Sequence, residues 1–175
     1  MTEADVSKMI EEYRTKVQSL FDDCSSEIVG NASPRHAAIL IEEMVVHAEQ
    51  SFKAFAGKMN PDVWNERVME ALRRAVEERH IDIKLVVECD CEPIKRGTMP
   101  ESVRKFVRKL DPETRDKLRD KLSHCASGDG KSLRIETDAD QKSAVFSANR
   151  PETASQVAAV VEGLYTLSVE CGNAA

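Results

Sequence analysis

The sequence predicts an α/β (α+β) fold, a mixed β-sheet flanked by helices, on three observations. Residues 51–58 and 81–88 read as strands on either side of a helical period. That order makes a βαβ unit, with parallel strands and a right-handed crossover. Residues 132–137 and 143–147 read as two short strands joined by polar residues, a hairpin. The stretches before, between and after them repeat their apolar residues every three or four positions, the spacing of a helix face.

Each element has a local cause. Thr2, with Asp5 three residues on, is a helix start with a side-chain cap and an acid in the first turn. Val6, Met9, Ile10, Tyr13, Val17, Leu20 and Phe21 continue an amphipathic stripe towards the Gly30-Asn31 pair. Residues 1–30 are therefore expected to form an N-terminal helix, and residues 33–171 the α/β domain. Ser33-Pro34 supplies a cap and a proline for the first helical position of a second helix. Residues 37–48 are apolar around most of their circumference, so this helix is expected to be buried. Residues 51–58 alternate weakly. Asn60-Pro61-Asp62 opens a third helix through Trp64, Val68, Leu72 and Val76, closed by His80. Ile81, Ile83, Leu85, Val86 and Val87 form the clearest strand.

Residues 90–98 read as a loop. From Pro100 a charged helical stretch, interrupted at Asp111-Pro112, runs to about Leu122. Gly128-Asp129-Gly130 is a turn and Asp138 to Lys142 another. Pro151 opens a last helix through Ala154, Val157, Val160, Val161 and Leu164, with an edge strand over 165–170.

At 175 residues the chain fits one domain, and 41% hydrophobic residues suffice for its core. No run of 18 apolar residues exists that would suit a membrane span. The acidic start Met1-Thr2-Glu3-Ala4-Asp5 is the opposite of a secretory signal. Five cysteines, an odd number at irregular spacing, make a poor disulfide framework and suit the reducing cytoplasm. The net charge of −6 argues against a protein that coats nucleic acid with its whole surface.

Several short patterns suggest chemistry. Gly130-Lys131-Ser132 resembles the end of a phosphate loop. That loop requires a glycine where Cys125 stands, and a helix where a strand follows. Cys89, Cys91, His124 and Cys125 are zinc-ligand types, but one residue between two cysteines is too short for the usual pair, and two free thiols at a strand end are expected. Glu43 and His47, four apart, read as an ordinary helix pair. No metal or cofactor is implied. Between Lys95 and Lys121, ten basic residues stand against five acids. This gives the stretch +5 and leaves −11 for the remainder of a chain of net −6. Arg104, Lys105, Arg108 and Lys109 within it, with Lys131 and Arg134 beyond it, are the candidate anion-binding residues.

The order of elements from about Ile39 to Leu167, ending in Phe146-Ser147-Ala148-Asn149, resembles one half of the phospholipase D superfamily fold. Members carry His-x-Lys-x4-Asp followed by Gly-Ser-x-Asn, in which the histidine attacks phosphorus and the lysine, serine and asparagine hold the phosphate. Ser147-x-Asn149 matches the last element, with Phe146 in place of glycine. Aligning Asp129-Gly130 with the family's aspartate puts Leu122 at the nucleophile and His124 at the lysine. Taking His124 as the nucleophile puts Ala126 at the lysine and Lys131 at the aspartate, so the motif is broken in either register. The resemblance also implies a homodimer, because family sites combine two halves.

The expected function is a catalytically degenerate, dimeric binding or regulatory protein that engages another macromolecule, with no membrane partner. One alternative is a metal-independent phosphodiesterase or nuclease built on His124, Asp129, Ser147 and Asn149. Another is non-catalytic nucleic-acid binding through residues 95–121.

Overall fold

A computed structural model describes residues 2–31, 33–119, 121–138 and 143–171. Helix α1 (Glu3–Asp22) opens with a reciprocal capping box between Thr2 and Asp5. It includes the whole apolar stripe but stops short of the expected end at residue 30, and Cys24 beyond it adopts a left-handed backbone, φ +48°. The chain then turns, and Val29–Asn31 becomes a short strand, β1. Helix α2 (Pro34–His47) is capped by Ser33, whose hydroxyl accepts the His36 amide. It buries residues on nearly every side, from Ala37 through Val45.

The central unit is β2 (Ser51–Ala56), α3 (Glu66–Glu77) and β3 (Asp82–Val87). The two strands pair in parallel from Ser51 opposite Asp82 to Ala56 opposite Val87. Helix α3 begins later than Asn60-Pro61-Asp62 predicts. Residues 60–64 make a turn of their own, and Asn65 supplies the cap by accepting the Val68 amide.

The charged stretch after Pro100 is not one interrupted helix. It divides into α5 (Glu101–Arg104), a strand β4 (Val107–Lys109) and α6 (Pro112–Leu118), preceded in the expected loop by one helical turn, α4 (Glu92–Lys95). Val103, Val107 and Leu110 are buried. Their burial draws β4 alongside β3, with Val107 opposite Leu85. Next come β5 (Cys125–Gly128), β6 (Ser132–Asp138) and β7 (Ser143–Ser147), then α7 (Pro151–Leu167) and the edge strand β8 (Val169–Glu170). Of the expected turn from Asp138 to Lys142, residues 139–142 lie outside the described residues.

All eight strands form one mixed sheet in the order β1-β7-β6-β5-β2-β3-β4-β8. Only the β2–β3 and β3–β4 pairings are parallel. Helices α1, α2 and α3 cover one face. Helix α7 covers the other, where Val157, Val161 and Leu164 pack on Phe55, Val86 and Cys125. Under α2 the sheet carries small residues, Ala54, Ala56 and Ala126, all buried. No helix among the described residues is long and apolar enough to cross a membrane.

Candidate functional site

Parallel strands place their carboxyl ends side by side, and in open α/β sheets ligands bind outside those ends where strand order reverses. Here β2 and β3 end together at Ala56 and Val87. Strand β5 lies on the other side of β2 and runs antiparallel to it, with Cys125 opposite Phe55. The residue that enters β5, His124, therefore arrives at the same end of the sheet. Gly57 makes room for it, since a Cβ there would stand 3.1 Å from His124 Cε1.

The His124 ring is held from both sides. Its Nδ1 donates to Glu136 Oε2 at 2.7 Å, and its Nε2 lies 3.3 Å from Glu88 Oε2. Its edge meets the Phe55 ring, centroids 5.5 Å apart. Burial opposes charge on the ring, but the hydrogen bonds to Glu136 and Glu88 outweigh it and raise the pKa from 6.5 to about 9. The same contact with His124 lowers the pKa of Glu88. With its pKa raised to about 9 the ring keeps its second proton at neutral pH, Nδ1–H bonded to Glu136 and Nε2 in ion-pair contact with Glu88, and offers no lone pair to attack phosphorus or take a proton.

Beside this triad a cavity of about 200 Å³ runs under α2. Ala37, Ile41, Ala56, Met59, Val63 and Trp64 give it apolar walls, and Arg134 and Glu136 reach it from β6. Arg134 is only 7% exposed, its Nε has no hydrogen-bond partner, and no ion pair joins it to a described residue. Burial lowers its pKa, and nearby Glu136 opposes that shift.

The structure does not bring the sequence-predicted catalytic residues together. His124 and Arg134 line the cavity; Asp129, Lys131, Ser147 and Asn149 lie at the other end of the strands. The five residues from His124 to Asp129 span about 17 Å at strand rise. Asp129, at φ +54°, accepts the amides of Glu49, Gln50 and Ser51, each at 2.8 Å, and ties the β5–β6 turn to the start of β2. Lys131 continues that turn. Ser147 is fully buried opposite Leu133, and Asn149 donates to the Cys24 carbonyl at 3.0 Å. Leu122 packs against the cluster under α7.

The basic stretch is divided among several elements and largely met by its own acids. Lys109 and Lys95 pair with Asp90, Arg104 with Glu101, Arg96 with Glu92, Lys117 with Glu113, and Arg119 with Asp116. Lys105 lies over the Phe106 ring and Arg108 over Tyr165. Among the described residues no three His, Cys, Asp or Glu side chains are placed to hold a metal ion.

Sequence reasoning missed Glu88 and Glu136. Glu136 stands two residues after Arg134 on a strand, so the two share a face. That spacing was the available signal. Glu88 closes the clearest strand and carried no signal beyond its position.

No family model and no curated protein matches the chain. Solved structures do. The chain is similar to Nuc, a phospholipase D family member from Salmonella typhimurium, at 13% identity and TM-score 0.54, over 82% of this chain and 97% of that one. It is similar to NucT from Helicobacter pylori at 12% identity and TM-score 0.52, over 82% of this chain and 99% of that one. It is also similar to TrmBL2, an archaeal chromatin protein, at 10% identity and TM-score 0.54, over 96% of this chain and 66% of that one. At these identities the likeness is one of architecture, and the strand–helix–strand unit, the mixed sheet and the helices on both of its faces make this a phospholipase D-like fold.

Proposed function

We propose that this chain is a non-catalytic binding domain on a phospholipase D-like scaffold, acting as a homodimer that engages another macromolecule. The observation that carries this reading is the double engagement of His124 by Glu88 and Glu136. Covalent phosphoryl chemistry needs a neutral imidazole with a free nitrogen. With its pKa raised to about 9 this ring keeps its proton at neutral pH, and each nitrogen lies within 3.3 Å of a carboxylate oxygen. Leucine stands at the aligned nucleophile position. The separation of Asp129, Ser147 and Asn149 from His124 further supports a loss of the reaction.

A second reading, DNA binding, is favoured by the likeness to TrmBL2, whose structure is described as showing a novel mode of DNA binding. It would draw on Arg104, Lys105, Arg108 and Lys109, along the end of α5 and β4.

One experiment tests both. Labelled single- and double-stranded DNA and RNA are incubated in chelator with wild type and His124→Ala, and run on denaturing and native gels. The expected outcome is no cleavage by either protein. Cleavage by wild type that His124→Ala abolishes overturns the non-catalytic reading. A mobility shift that weakens steeply with salt supports DNA binding. Sedimentation equilibrium tests the dimer, and a monomer at all accessible concentrations removes that part of the proposal.

A further inference from the structure

Among the described residues, the buried guanidinium of Arg134 has no ion pair, and its Nε has no acceptor. Arg134 presents five N–H donors in a fixed planar fork. Buried polar groups are nearly always satisfied, and buried charges are nearly always paired. Here the neighbouring carboxylate, Glu136, spends its 2.7 Å contact on His124. A second unsatisfied group lies close by. The Tyr13 hydroxyl is buried with no partner, burial pushes its pKa up to about 12, and the charge of Arg134 counteracts that rise. The Tyr13 hydroxyl therefore feels the charge of Arg134, and Arg134 is on the wall of a cavity.

We infer that the cavity under α2 is a binding site for a small organic carboxylate, whose head group Arg134 receives and whose short apolar tail lies along Ala37, Ile41, Ala56, Met59 and Trp64. This deepens the non-catalytic reading above and rests on it, since the ligand is held and not transformed. The guanidinium fork matches the two oxygens of a carboxylate. The cavity, about 200 Å³, holds on the order of seven waters' share of liquid volume, so the tail is a few carbons long. Arg134 and the exposed Lys58 on the cavity wall supply the positive charge that the ligand meets. Glu136 stands on the same wall, so a monoanionic carboxylate is repelled less than a phosphate monoester, which brings about −1.5 to −2.

The chain's single tryptophan, Trp64, lines this cavity and also a larger one beside α3, so a fluorescence change reports this site where Arg134→Met removes it. Acetate, butyrate and hexanoate are titrated at constant ionic strength against Trp64 fluorescence, with inorganic phosphate and chloride in parallel. The expected result is a saturable change with butyrate or hexanoate and none with phosphate. Arg134→Met should lose affinity by roughly tenfold or more, as for a lost charge-assisted contact, while its unliganded form melts at or above the wild-type temperature, because an unpaired buried charge has been removed. If Arg134→Met does not fold, Arg134→Lys, which keeps the charge but not the fork, should weaken binding several-fold. No saturable change with any carboxylate, equal affinity in the folded Arg134 variant, or equal binding of phosphate overturns the inference. The same samples are assayed for phosphodiester cleavage. Cleavage defeats the non-catalytic reading whatever the fluorescence shows, and silent fluorescence without cleavage defeats the carboxylate site alone.

Discussion

The protonation state of His124 decides between a binding site and a reactive one, and it can be measured directly. The folded protein holds the proton on His124 more tightly than the unfolded chain does, with a pKa raised from 6.5 to about 9. At about 1.36 kcal/mol per pKa unit, this corresponds to about 3 kcal/mol of stability. The ring is 29% exposed, so solvent screening brings a realistic figure to about 2 kcal/mol. A raised pKa means that this stability is complete below pH 6.5 and is lost as pH rises towards 9. The perturbation is His124→Gln, which keeps two polar groups near Glu88 and Glu136 but cannot titrate. Urea unfolding from pH 6 to 9.5 should show wild type losing about 2 kcal/mol relative to the variant across that window. Ring-proton NMR separates His124 from the three other histidines. His36, whose pKa burial lowers, should titrate in the opposite direction from His124 relative to 6.5. If His124 titrates at or below 6.5 and the two stability profiles run parallel, the ring is neutral at physiological pH, and the argument against catalysis fails with it.

Asp129→Ala should destabilise the fold by about 2–4 kcal/mol in urea unfolding, from three lost carboxylate hydrogen bonds and an alanine held at positive φ. Asp129→Gly should recover only the conformational part, and neither variant should move the titration of His124, because the two sites lie at opposite strand ends. Gly128→Ala should cost about 1–3 kcal/mol, since the new Cβ would stand 2.7 Å from Ser132 Oγ and 3.3 Å from the Met44 carbonyl. Arg79→Ala should lower stability by about 1–2 kcal/mol, because its guanidinium caps the end of α2 through the carbonyls of Val45, Val46 and Ala48.

What was legible in the sequence follows from where each element gets its stability. Strand β3 announces itself because Ile83, Leu85, Val86 and Val87 are both strand-forming and buried. Helix α2 does so because its cap and its apolar content agree. Strand β5, Cys-Ala-Ser-Gly, has no β-branched or aromatic residue, and its conformation comes from pairing with β2 on one side and β6 on the other. Strand β4 is hidden among charges, and only Val107 marks it. For the site, His124 was visible as a residue, while Glu88 and Glu136 reach it through strand pairing that no local pattern encodes. The motif alignment grouped Asp129, Ser147 and Asn149 with His124 by spacing along the chain. Antiparallel pairing turned that spacing into distance, since a residue at one end of β5 cannot meet residues at the other.

The two ends of the sheet also differ in what their polar residues do for stability, and this separates scaffold from site. Asp129 and Asn149 satisfy backbone groups with hydrogen bonds of ordinary length, and their presence is explained by the fold alone. At the other end, Lys58, His124, Arg134 and Glu136 put four ionisable groups on the wall of one small cavity, with Glu88 against His124. Well-packed apolar residues of similar volume are generally as stabilising as a buried ion pair, or more so, and nothing in the described residues completes Arg134. The walls themselves show that apolar residues fit there, since Ala37, Ile41, Ala56 and Met59 are all buried around it. Stability therefore accounts for Asp129 and Asn149 at one end and not for the charged residues of the other. The Arg134 Nε, which the fold neither needs nor satisfies, is the group that the carboxylate inferred above would complete.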